Sequence, residues 1–251
     1  MSQSEFDYVV VGGGSAGCCV AGRLSEDAHL TVCLLEAGGP DDSVFVRAPL
    51  GFAATASLNI NSWGYNTIPQ AGFKGRKGFQ PRGKVMGGSS SVNAMVYTRG
   101  NAKDYNSWSA LGNAGWSYQD VLPYFKKSEN NECFGANDYR GVGGPLNVSY
   151  LRSPSPVNQA FIQACQEQGI PFNPDYNGER QFGVSPGQVT QKGGERWNAA
   201  RAYLDPHRHQ ANLQVISHAH ATQVVMDGKR AVGVRFTVNG VTHEVHARKE
   251  V

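Results

Sequence analysis

Three glycines, Gly12, Gly14 and Gly17, stand in the stretch YVVVGGGSAGCCVAGRL (Tyr8 to Leu24), behind an apolar run and ahead of a run of small residues. G-x-G-x-x-G placed straight after a strand and at the opening of a helix is the pattern that brings a backbone against a pyrophosphate. The first glycine permits the tight turn, the second lets the backbone approach phosphate, and the third lets helix pack on strand. Ser15 and Ala16 fall at the helix N-terminus, where unpaired N–H groups and a partial positive charge favour an anion. Glu36 closes the next apolar run, LTVCLLE, at the place where such units hold a carboxylate for ribose hydroxyls. A carboxylate there, in place of an arginine, disfavours a 2′-phosphate. The expected ligand is an adenine dinucleotide other than NADP.

Nicotinamide and flavin dinucleotides share that pattern, so a second stretch must separate them. RGKVMGGSSSVNAMVYTRG (Arg82 to Gly100) pairs Gly87 and Gly88 with three serines and Asn93, which can offer N–H, hydroxyl and amide groups to phosphate and to a heterocycle edge. It is not a nucleotide-triphosphate loop, because Lys84 precedes the glycines instead of following them.

Taken with the first motif, GKVMGGSSSVNAMVYTRGNAKDYN resembles the first signature of the glucose-methanol-choline (GMC) flavin oxidoreductases. WGYNTIPQ, GGPLNVS and QKGGERWNAARAYLDP resemble family segments too, so the likeness runs along the chain and is strongest to choline-dehydrogenase-like alcohol dehydrogenases. The resemblance implies FAD as cofactor. It implies Ser15, Ala16 and Ser89 near the pyrophosphate, Glu36 on the adenosine ribose with Ala37 beside it, and Val85, Gly87 and Gly88 in the same cradle. Asn93, Ala94, Met95 and Val96 would lie along the isoalloxazine, with core packing an equal reading for Met95 and Val96. Val224 would offer backbone groups to adenine, the alternative being an ordinary inward strand residue. Some members tether the flavin through a histidine just before the asparagine; Val92 stands there and has no nucleophile, so non-covalent FAD is implied. The implied reaction is oxidation of a small-molecule alcohol to an aldehyde by hydride transfer to flavin N5. The resemblance puts the catalytic histidine near the C-terminus of a considerably longer chain, so no catalytic residue is expected here and a C-terminal segment or second chain is. A lyase on the same fold and a non-catalytic flavin-binding fragment stay open.

Other chemistry is poorly supported. His207/His209 and His218/His220 have no Cys, Asp or Glu pattern beside them to complete a metal set, so no metal is expected. Trp63, Trp116 and Trp197 read as packing aromatics. No Ser-His-Asp order or G-x-S-x-G elbow occurs. Five cysteines without a C-x-x-C pair read as reduced thiols, hence a cytoplasmic location, with a peripheral membrane position left open. A net charge of +3 is too mild for nucleic acid. The one basic run, FKGRKGFQPRGK, reads as a solvated loop, with help to an anionic cofactor as the alternative. No segment approaches the ~20 apolar residues of a membrane span, and MSQSEFDYVVVGGG has no leader pattern.

The elements that must position these groups form an α/β fold: a Rossmann-like FAD domain with a parallel sheet and a three-stranded antiparallel meander, plus part of a substrate domain. Phe6 to Val11, Ser15 to Leu24 and Leu30 to Glu36 predict strand, helix and strand. Gly38 to Gly100 lacks sustained periodicity. Asn101, before AKDYNSWSAL closed by Gly112, and Ser117, followed three residues later by Asp120, predict helix starts. Ser155-Pro156 opens another, in which Val157, Ala160, Phe161, Ala164 and Cys165 form one apolar stripe expected to be buried. The end of the chain alternates around Asp227-Gly228 and Asn239-Gly240, and THEVHARKEV reads as an exposed meander edge. The expected division is 1–154 and 196–251 for the FAD domain and 155–195 for part of the substrate domain.

Overall fold

The structure, a computed structural model, describes residues 4–251; the opening MSQ of the stretch without a leader pattern lies outside the described residues. Along the chain run β1 (Glu5–Val11), α1 (Ser15–Ser25), β2 (Val32–Leu35), α2 (Val44–Arg47), α3 (Gly51–Leu58), β3 (Tyr65–Asn66) and β4 (Phe79–Gln80). Next come α4 (Ala102–Ala110), α5 (Tyr118–Ser128), β5 (Glu129–Asn131), β6 (Leu146–Tyr150), α6 (Pro156–Glu167), β7 (Gln188–Val189), β8 (Gln191–Lys192) and β9 (Glu195–Arg196). The chain closes with β10 (Leu213–Ile216), β11 (His220–Asp227), β12 (Arg230–Val238) and β13 (Val241–Glu250). Residues up to Ala94 together with Asn198–Val251 make one compact unit, and Met95–Trp197 another. The borders of compactness thus fall at Met95 and Asn198, and not at 155 and 196, because residues 95–154 fold together with residues 155–197.

In the first unit a six-stranded sheet runs β10-β2-β1-β13-β12-β11. β10, β2, β1 and β13 are parallel neighbours, and β11, β12 and β13 form the antiparallel meander. Parallel strands are covered on both faces and read as continuous apolar runs, and VCLL of β2 is wholly buried. Val32 and Leu34 pack with Cys18 and Ala21 of α1 and with Met86 and Leu204, whereas Cys33 and Leu35 pack with Phe6, Val234, Phe236 and Val245. β13 is therefore no exposed edge: His246, Ala247 and Glu250 pair with Glu5, Phe6 and Tyr8 of β1. The sheet edges are β10, which the sequence pattern does not reveal, and β11.

In the second unit both predicted helix starts form, each closed by a capping box. Asn101 accepts from the Lys103 N–H while Asp104 accepts from the Asn101 N–H, and Ser117 and Asp120 repeat the exchange. A buried ionic knot ties the unit together. Glu129 accepts from Arg99 Nη2 and Arg140 Nη1, each at 2.8 Å, and Arg140 Nε donates to Asp175 at 2.9 Å. The stripe on α6 departs from expectation: Val157 is 72% exposed and Phe161 64%. Amphipathic period marks a face that calls for a cover; it does not say that the cover lies within the same stretch of chain.

Candidate functional site

At the C-terminal ends of parallel strands, the place where open α/β sheets bind ligands, Gly12 turns the chain out of β1 with φ +97°, a left-handed conformation that glycine tolerates. A Cβ on Gly17 would meet the Gly12 carbonyl oxygen at 1.9 Å, so only glycine lets α1 start this close to the turn. A Cβ on Gly14 would meet nothing within 4 Å. Space has been left open in front of the α1 N-terminus, where Ser15 and Ala16 are exposed.

Glu36 comes directly after β2 and is buried, its Oε2 accepting from the Gly13 N–H and its Oε1 from the Gly38 N–H, both at 2.8 Å. Burial raises its pKa above the usual carboxylate value, against the opposing pull of the two N–H groups and the Lys84 charge. A carboxylate has about four acceptor sites, so two N–H bonds leave capacity for hydroxyl donors.

The second glycine-rich stretch lies against the first. Gly87 N–H donates to the Gly13 carbonyl at 2.7 Å, Met86 N–H to the Gly39 carbonyl at 2.9 Å, and a Cβ on Gly88 would strike Gly14 Cα at 2.7 Å. Gly87 and Gly88 both have positive φ. These glycines thus serve loop-to-loop packing first. The serines divide in the same way. Ser90 Oγ donates to the Gly87 carbonyl and accepts from the Ala199 N–H, and Ser91 Oγ donates to the Met86 carbonyl and accepts from Asn198. Both hydroxyls are engaged inside the scaffold, so of the three serines able to offer a hydroxyl to phosphate these two are taken up by packing. Ser89 is exposed, its Oγ accepting from the Gly83 N–H at 3.2 Å.

Between the two stretches lies a cleft of about 300 Å³ lined by Gly12, Gly14, Glu36, Ala37 and Gly88. Five further residues line it that the sequence does not assign to the site: Trp63, Gly83, Ala219, His220 and Ala221. The last three come after β10. Since β10 pairs in parallel with β2 (Ile216 opposite Leu35), its end arrives beside Glu36, and the Ala219 N–H donates to the Glu36 carbonyl at 2.8 Å. Recognising LQVI as a buried strand would have pointed to them. Trp63 packs on Tyr65 and on His220, with centroids 5.8 and 5.6 Å apart.

The other expected positions fall elsewhere. Val85 is buried and bridges to Gly39. Asn93 and Ala94 are exposed. Met95, at φ +63°, is buried and its carbonyl accepts from the Thr190 N–H, whereas Val96 is exposed beside Val189. Val224, opposite Val234 in the meander, lines a separate hollow with Tyr8, Val10 and Val20. Trp116 packs on Trp108, with ring centroids 6.0 Å apart, but stays exposed where the sequence implies burial. Among the described residues no group of three or more His, Cys, Asp or Glu could hold a metal ion. A larger groove beside α6, lined by Tyr150, Val157, Phe161, Ile162 and Pro186 among others, contains no carboxylate, histidine or cationic side chain.

With this geometry in hand, residues 6–251 match the family model described as GMC oxidoreductase. The chain belongs to the GMC oxidoreductase family. It is 44% identical over 240 residues to an alcohol dehydrogenase (acceptor) of Pseudomonas putida, covering 96% of this chain and 44% of that protein. It is also 44% identical over 257 residues to human mitochondrial choline dehydrogenase, covering 100% of this chain and 43% of that one. Among solved structures, pyridoxine 4-oxidase from Mesorbium loti superposes with a TM-score of 0.90 at 33% identity, over 96% of this chain and 48% of that one. An FAD-dependent oxidoreductase from Chaetomium thermophilum gives 0.88 at 31%, over 97% and 44%. This GMC chain spans under half the length of the curated relatives it matches.

Proposed function

We propose that this chain is the FAD cradle of an alcohol-oxidising flavoenzyme. The observation that carries the reading is the Glu36 carboxylate, fixed by two backbone N–H groups at the lip of a cleft whose other wall is the open space before Gly14 and the α1 N-terminus. Glu36 is assigned to the adenosine ribose with Ala37 beside it, and Gly12, Gly14, Ser15, Ala16, Gly88 and Ser89 to the pyrophosphate, with Gly17 letting α1 start close against the turn. Val85 and Gly87 shape the second loop. Asn93, Ala94, Met95 and Val96 are assigned to the isoalloxazine, and Val224 to adenine through its backbone alone. Val92 leaves the flavin untethered. When bound, FAD supplies the acceptor that takes hydride from the alcohol carbon, leaving an aldehyde.

The hydroxyl proton needs a base within hydrogen-bond reach. His220 lines the cleft, but at the end assigned to the ribose. The base is therefore assigned to a further C-terminal polypeptide segment, and the exposed stripe of α6 is a surface for that segment to cover. Free thiols at Cys18, Cys19, Cys33, Cys133 and Cys165 support a reducing, cytoplasmic setting for the whole. No described helix is long and apolar enough to cross a membrane.

The test is anaerobic flavin bleaching by a primary alcohol. Loss of a general base costs ~10² to 10⁴ in rate, so the chain alone should bleach slowly and recover speed when the remaining part of the Pseudomonas putida relative is supplied in trans. Fast bleaching by the chain alone would return the base to this sequence, and a chain that takes up no FAD under any pairing would end the reading.

A further inference from the structure

The basic run FKGRKGFQPRGK meets the cleft only at its last two residues, Gly83 in the lining and Lys84, whose charge reaches Glu36. It lies on a two-stranded ribbon whose rungs extend well beyond β3 and β4: Lys84 N–H to Asn61 O, Trp63 N–H to Arg82 O, Thr67 N–H to Gly78 O and Gln70 N–H to Arg76 O. A single 3₁₀ turn, Ala71–Phe73, and a left-handed Lys74 close the tip. Every residue from Ala71 to Lys77 is exposed.

Two properties of this ribbon coincide. Its charge has one sign: between Ser43 and Ala94 there is no Asp or Glu, and five of the six cations in that span fall between Lys74 and Lys84. Lys74, Arg76, Lys77 and Arg82 pair with no carboxylate among the described residues. The ribbon also carries bulky apolar side chains out of the protein, with Ile68 76% exposed, Phe73 57%, and Tyr65 and Phe79 exposed as well. At the tip, Arg76 Nε donates to the Phe73 carbonyl at 3.0 Å and its guanidinium sits 5.9 Å from the Phe73 ring centre. Charge and hydrocarbon thus leave the tip together.

A solvated loop would carry the cations without the hydrocarbon, and a nucleic-acid contact would spend its energy on phosphates and stacking at a more concentrated basic face. Cations that reach headgroups beside aromatic and aliphatic side chains that enter the acyl boundary are what an anionic bilayer surface selects. We propose that the ribbon Tyr65–Lys84 docks this chain on an anionic lipid surface, with Phe73 and Ile68 entering the interface and Lys74, Arg76 and Lys77 on the headgroups. Trp63 at the base of the ribbon lines the cleft, so docking holds the cleft at the bilayer. This inference does not depend on what the cleft binds.

The experiment is co-sedimentation of the chain with phosphatidylcholine vesicles, with and without phosphatidylglycerol, at low and high salt. Binding is expected to the anionic vesicles and to fall with salt. Near a membrane surface each Lys or Arg contributes ~1 kcal/mol, so the triple variant K74Q/R76Q/K77Q should lose roughly a hundredfold in partition. I68S/F73S should weaken binding even where salt has removed the electrostatic part. Because these side chains are exposed, thermal midpoints should stay at the parental value, which separates lost docking from lost folding. A tryptophan introduced by Phe73→Trp should be quenched by brominated lipid in the anionic vesicles. Equal sedimentation with both lipids, undiminished binding by the triple variant, or no quenching would overturn the proposal. A chain that ignores vesicles altogether would overturn it too, and would turn attention to a soluble acidic protein as the ribbon's partner.

Discussion

Two glycines three positions apart make opposite predictions. A methyl at Gly17 would sit 1.9 Å from the Gly12 carbonyl oxygen, where non-bonded carbon and oxygen keep at least roughly 3 Å apart. Either α1 or the turn must move by about 1 Å, and neither is a flexible side-chain tip. Overpacking of this kind costs ~1–3 kcal/mol, which in a chain of this size lowers Tm by roughly 2–12 °C. Gly14 is different. Its backbone, φ −77° and ψ −165°, suits alanine, and its Cβ direction is empty. The unfolded-state gain of ~0.4–1 kcal/mol nearly offsets the weaker N-cap, so Gly14→Ala should leave the Tm of the flavin-free chain within a degree or two. The same methyl occupies the space assigned to the pyrophosphate, and forcing a ligand past it should weaken FAD binding by roughly tenfold to a hundredfold. Thermal unfolding without flavin and flavin-fluorescence titration read the two effects separately. Parental FAD affinity in Gly14→Ala would refute the placement of the pyrophosphate, and a parental Tm in Gly17→Ala would refute the close approach of helix and turn.

Individual groups carry further expected outcomes. Glu36→Ala should weaken FAD binding by ~1–3 kcal/mol, the usual loss for a hydrogen bond to a charged group; an unchanged Kd removes Glu36 from the site. Because burial raises the Glu36 pKa, its acceptor capacity is complete above that raised value and is lost as pH falls through it. FAD affinity should therefore decline at a higher pH than an ordinary carboxylate would dictate, and Glu36→Gln should flatten that step. Flavin should leave with the supernatant on acid precipitation, since Val92 offers no tether; flavin retained in the pellet would contradict this. The Cys18 thiol, pushed by burial up to about 12, should resist thiol reagents in the folded chain at neutral pH, and rapid labelling would show that α1 opens. Arg140→Met should destabilise the second unit by ~3–5 kcal/mol, because it takes from the buried Glu129 one of its two cations and leaves the half-buried Asp175 without its own; a chemical-denaturation curve unchanged in midpoint would deny the ionic knot that role.

Much of this architecture is legible from local patterns because the signals are local. The capping boxes at Asn101 and Ser117 need only residues three apart, and the turns at Asp227-Gly228 and Asn239-Gly240 need only two. Glycines 12, 14 and 17 and Glu36 can be read as one site because the β-α-β unit brings them together whatever else the chain does. The helix α3 is not legible in this way: nothing before Gly51–Leu58 signals a start, and its N-cap position is Leu50, without a side-chain cap. The lining of the cleft by Ala219, His220 and Ala221 is hidden too, since it depends on β10 pairing with β2 across most of the chain, which no local pattern encodes.

What the sequence determined by itself is the chemistry on offer at the first turn: a backbone free of side chains, a helix N-terminus, and a carboxylate at the end of the next strand. What only the tertiary structure decided is which bare positions face a ligand and which face the protein. Gly14 and Gly17 are the same residue type in one motif, yet one looks into an open cleft and the other onto a carbonyl. Ser89 is exposed while Ser90 and Ser91 bond inward. The apolar stripe of α6 lies open because periodicity specifies that a face is apolar and not what will cover it. In each case the deciding term is the position of atoms distant in sequence, and at contact distances of a few ångströms their packing and hydrogen bonds outweigh any preference the local sequence carries.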